Sequence, residues 1–439
     1  MKRPYEYTLS EASELIQRGE LTPTRLAESL LERIQDLEPL LEAWVTVDPD
    51  QVMRDAEIAT ELAEEGEFMS PLHGIPVGVK DIFYTKGMKT TMGSPIYSDY
   101  VPGYDAEIVK TLRGVGMVVM GKTETTEFAL HDPAPTRNPW NTDHTPGGSS
   151  SGSAAAVSSG MIQLALGSQT GGSVIRPASY CGTAGFKGTY DLISREGVYP
   201  LSWSLDHVGF MTRTVGDALL TLQTLKPDLK AGIEAVDSPR IGLLSGFFKD
   251  EADDGVWRGF ERAVGRLWGE GADFVDVRLL ESFKMVPDVH RVIMCVETAA
   301  AHEDTFREQP EGYREYMRGF ISSGLLVPGT AYLRAQRIRG TIIKEILRLL
   351  EDFDCLACPS TVDTAPEGLE WTGSPAFNAP WSLTGLPSIT VPSGLSEDKL
   401  PLGLQLVGKP YGEMELLMIG KWCEKRLDFP DGPKDPHSP

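Results

Sequence analysis

Two Gly-Gly-Ser tripeptides, Gly147-Gly148-Ser149 and Gly171-Gly172-Ser173, bracket a small-residue run followed by an apolar run. This repeat constrains the fold more than any other feature of the chain. Glycine admits unusual torsions and close approaches. Each turn can therefore present a serine hydroxyl beside backbone N–H groups left free to hold a developing oxyanion. Ser153-Ala154-Ala155-Ala156-Val157-Ser158 predicts a helix stopped by Gly160, and Met161 to Leu166 predicts a short buried strand. A helix running out and a strand running back cover similar lengths, at ~1.5 Å and ~3.3 Å per residue. The start of the helix and the end of the strand should then adjoin, with Ser149 and Ser173 facing one site. The bland alternative is a pair of flexible loops, but two matching turns around a packed unit are poor candidates for linkers.

Composition bounds the partners. The chain has 439 residues, 41% of them hydrophobic, and no linker or low-complexity break divides it. A formal charge of −22 opposes nucleic acid or an anionic membrane as the main partner. No run approaches the ~20 apolar residues of a membrane span, and the start, Met1 to Glu6, lacks the apolar centre of a signal peptide. The five cysteines, Cys181, Cys295, Cys355, Cys358 and Cys423, fit a reducing, cytoplasmic setting. Cys355 and Cys358 match C-x-x-C, but they sit in an apolar stretch without a second ligand pair and are read as buried thiols.

Along the chain, residues 1–66 are predicted helical, with Ser10 capping a helix to Arg18 and Thr22 capping the next, Pro23 at its first position. From 74 to 216, short apolar runs such as Pro76 to Lys80 and Gly116 to Met120 alternate with glycine turns and helices, the pattern of an α/β sheet. Residues 226–350 read as helices that cover the sheet and shape a pocket. Strands return between Asp354 and Leu406, including Ser388 to Pro392. The tail 430–439 is expected to be disordered.

Three motifs compete for the chemistry. Gly116 to Thr123 satisfies G-x-x-x-x-G-K-[ST], a P-loop NTPase pattern. Its intervening residues, Met-Val-Val-Met, should themselves be a strand rather than a phosphate cradle. Gly148 to Gly152 satisfies G-x-S-x-G, with His207 or His302 as candidate bases, but a loop rather than a strand precedes it. Lys80 ends an apolar strand. Most such lysines only reach water, yet a buried neutral lysine can serve a serine hydrolase that lacks a histidine base.

Gly147 to Val157, followed by Gly167 to Gly182, closely resembles the amidase signature family. Gly74 to Asp81, Thr136 to Trp140, Ser204 to Gly209 and Leu400 to Gly408 are similar to further segments of it. The likeness covers most of the chain and is weakest from Lys226 to Gly324. The resemblance implies a single domain over 1–439 with a large mixed, twisted sheet covered by helices on both faces. It also implies a Ser-Ser-Lys triad: Ser173 as nucleophile, Ser149 as bridging serine after a cis peptide, and Lys80 as general base. Thr170, Gly171, Gly172 and Ser173 would supply the oxyanion-hole N–H groups. Keeping a lysine neutral at pH 7 requires burial worth roughly 4–5 kcal/mol.

One departure stands out. Many members carry Asp where Gln169 stands and place Arg two residues after the nucleophile, whereas Val174 and Ile175 separate Ser173 from Arg176 here. Arg176 is either a buried arginine bonded to backbone carbonyls or a clamp for a substrate carboxylate. The expected function is hydrolysis of a small-molecule carboxylic amide without metal or cofactor. A homodimer is compatible with the sequence. The alternative is the glutaminase subunit of a tRNA-dependent amidotransferase, although no long basic or C-terminal docking segment is evident.

Overall fold

Alternation of apolar runs and glycine turns produces one sheet that threads the whole described chain. The computed structural model describes residues 2–229, 236–430 and 432–433. Its strands are β1 (Trp44–Val47), β2 (Pro76–Lys80), β3 (Val118–Thr123), β4 (Leu164–Gln169), β5 (Ala184–Lys187), β6 (His207–Thr212), β7 (Arg240–Leu244), β8 (Asp273–Val277), β9 (Cys355–Pro359), β10 (Ser388–Leu395) and β11 (Pro401–Val407). They pair in the order β1-β3-β2-β4-β6-β5-β10-β11-β9-β7-β8. β2 runs parallel to both β3 and β4, and β7 runs parallel to both β8 and β9. The other pairs are antiparallel, so the sheet is mixed.

Strands β2 to β6 are buried at every position, as expected where helices cover both faces. Three lysines, Lys80, Lys122 and Lys187, lie in those strands with no exposed surface. Among the described residues no helix is long and apolar enough to cross a membrane.

The Gly/Ser unit folds close to its predicted form. A helix spans Ser151–Ser158, and β4 begins later than expected, at Leu164. The offset comes from the helix end: Gly160 takes φ +78°, and the N–H groups of Met161 and Ile162 both donate to Ala156 O. These bonds wrap residues 160–162 around the helix terminus. The unit then doubles back as inferred, since Ser153 Oγ donates to Leu166 O at 2.8 Å.

Several expectations are corrected. The first helix runs Leu9–Gln17 and is capped by Thr8 in a capping box with Glu11, while Ser10 donates instead to Asp217. The N-terminal segment is not wholly helical, because Trp44–Val47 pairs with β3. Residues 226–350 also contribute β7 and β8, short strands with half-exposed positions that a helix-rich composition conceals. Of the tail, Pro430, Gly432 and Pro433 are described; the remainder of 430–439 lies outside the described residues.

The competing motifs lose their structural context. Residues Val118–Thr123 are strand β3, and Lys122 points into the protein, donating to Phe83 O and to Thr90 Oγ1 and pairing with Asp81. No flexible phosphate turn exists there. Gly152 is required for a different reason from an elbow: a Cβ there would stand 2.2 Å from Ala43 O. His207 Nδ1 bonds Leu205 O, and the His302 ring packs on Phe128, so neither serves Ser150. Cys355 and Cys358 are free, buried and on opposite faces of β9.

Candidate active site

β2 delivers Lys80 to the mouth of the Gly/Ser unit. Its register beside β4, with Val79 opposite Leu166, carries the Lys80 side chain to the far end of β4. There Nζ donates to Ser149 Oγ at 2.7 Å and to Ser168 Oγ at 2.8 Å. Burial holds the amine well below the ordinary lysine range, with the Asp206 carboxylate acting in the opposite direction. Ser149 follows a cis peptide bond from Gly148, and its carbonyl accepts from Thr126 N–H.

Ser173 lies on the loop between β4 and the helix Ile175–Tyr180. Its hydroxyl makes no hydrogen bond within the described residues and lines a cavity of about 280 Å³. The structure therefore brings Lys80 and Ser149 together, and leaves Ser173 Oγ facing the cavity without a direct bond to Ser149. The N–H groups of Gly171, Gly172 and Ser173 likewise donate to no acceptor among the described residues. The start of the following helix is satisfied separately. Gln169 Oε1 takes the N–H groups of Val174 and Ile175, both at 3.0 Å, so the helix start is capped without using the loop ahead of it. Gln169 thus replaces the expected Asp with a neutral cap.

Arg176 is buried and stitches the two Gly/Ser turns. Its Nη2 donates to Gly148 O at 2.7 Å and to Thr372 Oγ1 at 3.3 Å. The same side chain borders the cavity, and its Nε and Nη1 make no hydrogen bond among the described residues. Both readings of Arg176 therefore keep a physical basis: it binds a backbone carbonyl and retains donor capacity. The remaining cavity wall is largely apolar, with Leu201, Val286, Met294, Phe320, Pro375 and Ala376. No Asp or Glu among the described residues lines it. His131 and His290 do, and burial pushes His131 down to about 4 and lowers His290 also, so both are neutral at pH 7.

Sequence reasoning did not single out Ser168, Asp206, His290 or Asn378. Ser168 was accessible in principle, since a lysine ending a strand parallel to β4 must meet the residues near the end of β4. Asp206 lay inside the Ser204 to Gly209 segment without a stated role. The other two come from distant parts of the chain, and no local pattern marks them.

The model of the family described as Amidase matches residues 25–417. The chain belongs to the Amidase family. Family membership makes it an enzyme acting on amide C–N bonds. It is 34% identical to a glutamyl-tRNA(Gln) amidotransferase subunit from Geobacter metallireducens, over 94% of this chain and 96% of that protein. The corresponding protein of Carboxydothermus hydrogenoformans is also 34% identical, over 97% and 98%. A solved amidase superposes with a TM-score of 0.89 at 33% identity, covering 96% of this chain and 100% of the other. The native peptide amidase of Stenotrophomonas maltophilia gives 0.80 at 27% identity, covering 98% of each. The helix-covered mixed sheet is thus the amidase-signature fold. The curated relatives lean towards the amidotransferase alternative, and the solved structures include an amidase and a peptide amidase. None of these relatives supports a homodimer.

Proposed function

We propose that this amidase-family enzyme hydrolyses a carboxylic amide to the acid and ammonia or amine through an acyl-enzyme on Ser173. The observation that carries this reading is the buried Lys80–Ser149 hydrogen bond beside a loop whose N–H groups are unspent. Neutral Lys80 draws a proton from Ser149 as Ser149 draws one from Ser173. Ser173 Oγ then attacks the amide carbon, and the carbonyl oxygen takes its charge to the N–H groups of Thr170, Gly171, Gly172 and Ser173. The proton returns through Ser149 to the departing nitrogen, and water cleaves the ester. The relay requires Ser173 to come within reach of Ser149 when substrate enters, a tightening common at catalytic hydrogen bonds. Arg176, which borders the cavity and keeps donor capacity, takes a substrate carboxylate, which favours a small acid-bearing amide.

A second reading rests on the curated relatives, which are named as subunits of an amidotransferase. In that setting glutamine is the amide and a partner holds the tRNA, because a chain with net charge −22 is itself a poor phosphate surface. The absence of Asp or Glu among the described residues of the cavity lining opposes it, since glutamine also carries an ammonium group.

One assay separates the readings. Ammonia release by the purified chain is measured on glutamine, on neutral amides and on isosteric acid-bearing amides, with Ser173→Ala as control. The main reading expects acid-bearing amides to lead and Ser173→Ala to be inert. Preference for glutamine, or turnover only with the other amidotransferase components added, would favour the second. Intact turnover by Ser173→Ala would remove both.

A further inference from the structure

Resting on the Ser173 reading, we propose that Asp206 and His290 are positioning residues that clamp Thr170 from two sides, and so aim the free N–H groups of Gly171, Gly172 and Ser173. Asp206 Oδ1 accepts from Thr170 Oγ1 at 2.6 Å. Its Oδ2 accepts the N–H groups of Leu201 at 2.9 Å and Ser202 at 3.0 Å. On the other side, His290 Nε2 lies 2.8 Å from Thr170 O. A carbonyl only accepts, so this nitrogen carries the hydrogen.

The two grips share one support. His290 lies on the helix Val286–Glu308, and so does Glu297. Glu297 Oε2 accepts from Ser202 Oγ at 2.6 Å and Ser204 N–H at 3.0 Å, while its Oε1 accepts from Ser204 Oγ at 2.7 Å and Tyr332 OH at 2.9 Å. The segment that holds Asp206 is therefore pinned to the helix that holds His290. The same helix sends Val286, Arg291 and Met294 into the cavity. Side chains that meet the substrate and side chains that aim the loop thus ride on one element.

Charge enters as well. Asp206 is the carboxylate that acts on Lys80, favouring its protonated form. Burial pushes Asp206 up to about 6 against its hydrogen bonds from Thr170, Leu201 and Ser202 and against Arg195. The adjacent His207 is held neutral by burial and by Lys187.

The test uses the purified full chain and an amide turned over in the panel above. Thr170→Val keeps shape and backbone but removes one grip. It should lower kcat on the order of tenfold to a hundredfold with KM nearly unchanged, the signature of a loop misplaced in the transition state. Asp206→Asn should lower kcat and also move the acid limb of kcat/KM to lower pH, because Lys80 loses the charge that favours its protonation. Thr170→Val keeps the Asp206 carboxyl group but removes a hydrogen bond that holds its pKa down, so it should move that limb in the same direction and less far. His290→Leu should lower kcat, and His290→Gln, whose amide can reach the same carbonyl, should restore most of it. The clamp is refuted by unchanged kcat in Thr170→Val and His290→Leu, by a rise in KM alone, or by failure of His290→Gln to rescue. If Asp206→Asn does not fold, the isosteric Thr170→Val still decides the matter. An inert Ser173→Ala beside fully active clamp variants sinks only the clamp, whereas an active Ser173→Ala sinks the reading beneath it.

Discussion

Lys80 Nζ and Ser149 Oγ stand 2.7 Å apart in a fully buried setting, and Lys80 forms no ion pair with any described residue. An amine in this position is hydrogen-bonded by hydroxyls and buried, and burial outweighs the opposing Asp206 carboxylate, which favours its neutral form. A neutral amine accepts a proton, and Ser149 is the hydroxyl placed to give one.

That relationship orders a mutational series. Ser173→Ala and Lys80→Ala should each lower kcat by ~10⁴-fold or more, as expected for members of one catalytic unit. Lys80→Arg should not rescue, because a guanidinium stays charged. Ser149→Ala should cost far more than Ser168→Ala, although both hydroxyls bond Lys80. Steady-state kinetics on these variants checks this, and a larger loss in Ser168→Ala would route the proton through Ser168 instead.

Buried lysines also leave a signature in stability against pH. Lys187 is pushed down to about 7 by burial, with Glu413 opposing, and donates to Leu386 O and Gly188 O. Its folded pKa lies below its unfolded value, so the unfolded chain binds more protons between the two. Stability should therefore rise with pH from about 7 towards the unfolded lysine range. Lys187→Met removes this contribution. The difference in unfolding free energy between parent and variant should drift in the parent's favour by on the order of a few kcal/mol between pH 7 and pH 10. Denaturant titrations at several pH values measure it, and a flat difference would mean Lys187 is charged in the fold.

The fold and site were unequally legible in the sequence. The Gly/Ser unit could be read because its constraints are local: a helix former run, a stopping glycine and a strand of matching length. Lys80, Ser149 and Ser173 entered through motifs, and the structure gives the first two a direct bond. β1, β7 and β8 escaped because their pairing partners lie far along the chain, so nothing in their own residues distinguishes them from the adjoining helices. Asp206 and His290 escaped for the same reason, since each acts on Thr170 across a long sequence separation. Gln169 departs from the family pattern in the sequence itself, but its capping role depends on where the next helix begins.

The two glycines of the second turn should differ sharply. A Cβ on Gly172 would stand 2.6 Å from Asn378 Oδ1. Asn378 cannot swing aside cheaply, since its Nδ2 donates to Ser360 O at 2.9 Å and to Gln405 Oε1 at 3.1 Å. A Cβ on Gly171 would meet nothing nearer than Pro375 at 3.3 Å. Gly172→Ala should therefore displace the loop and lower kcat by ~10²-fold, while Gly171→Ala should act mainly on KM by intruding on the cavity. Equal losses of kcat in the two variants would show that backbone freedom rather than the Asn378 contact dictates glycine there.

Gln169 supplies the last test. Its Oε1 satisfies two N–H groups at the start of the helix Ile175–Tyr180, and its Nε2 donates to Ser382 Oγ at 3.2 Å. Ser382 Oγ in turn donates to Gly171 O at 3.0 Å, so the cap and the loop share a hydrogen-bond chain. Gln169→Leu preserves approximate volume but strands two buried donors, at about 1–3 kcal/mol for each unsatisfied group. Unfolding free energy should fall by about that amount or more, and kcat should fall with it, because N–H groups released from Gln169 compete for whatever the loop presents. Thermal unfolding and steady-state rates of one preparation read both effects. A variant as stable as the parent would show that Val174 and Ile175 find other acceptors.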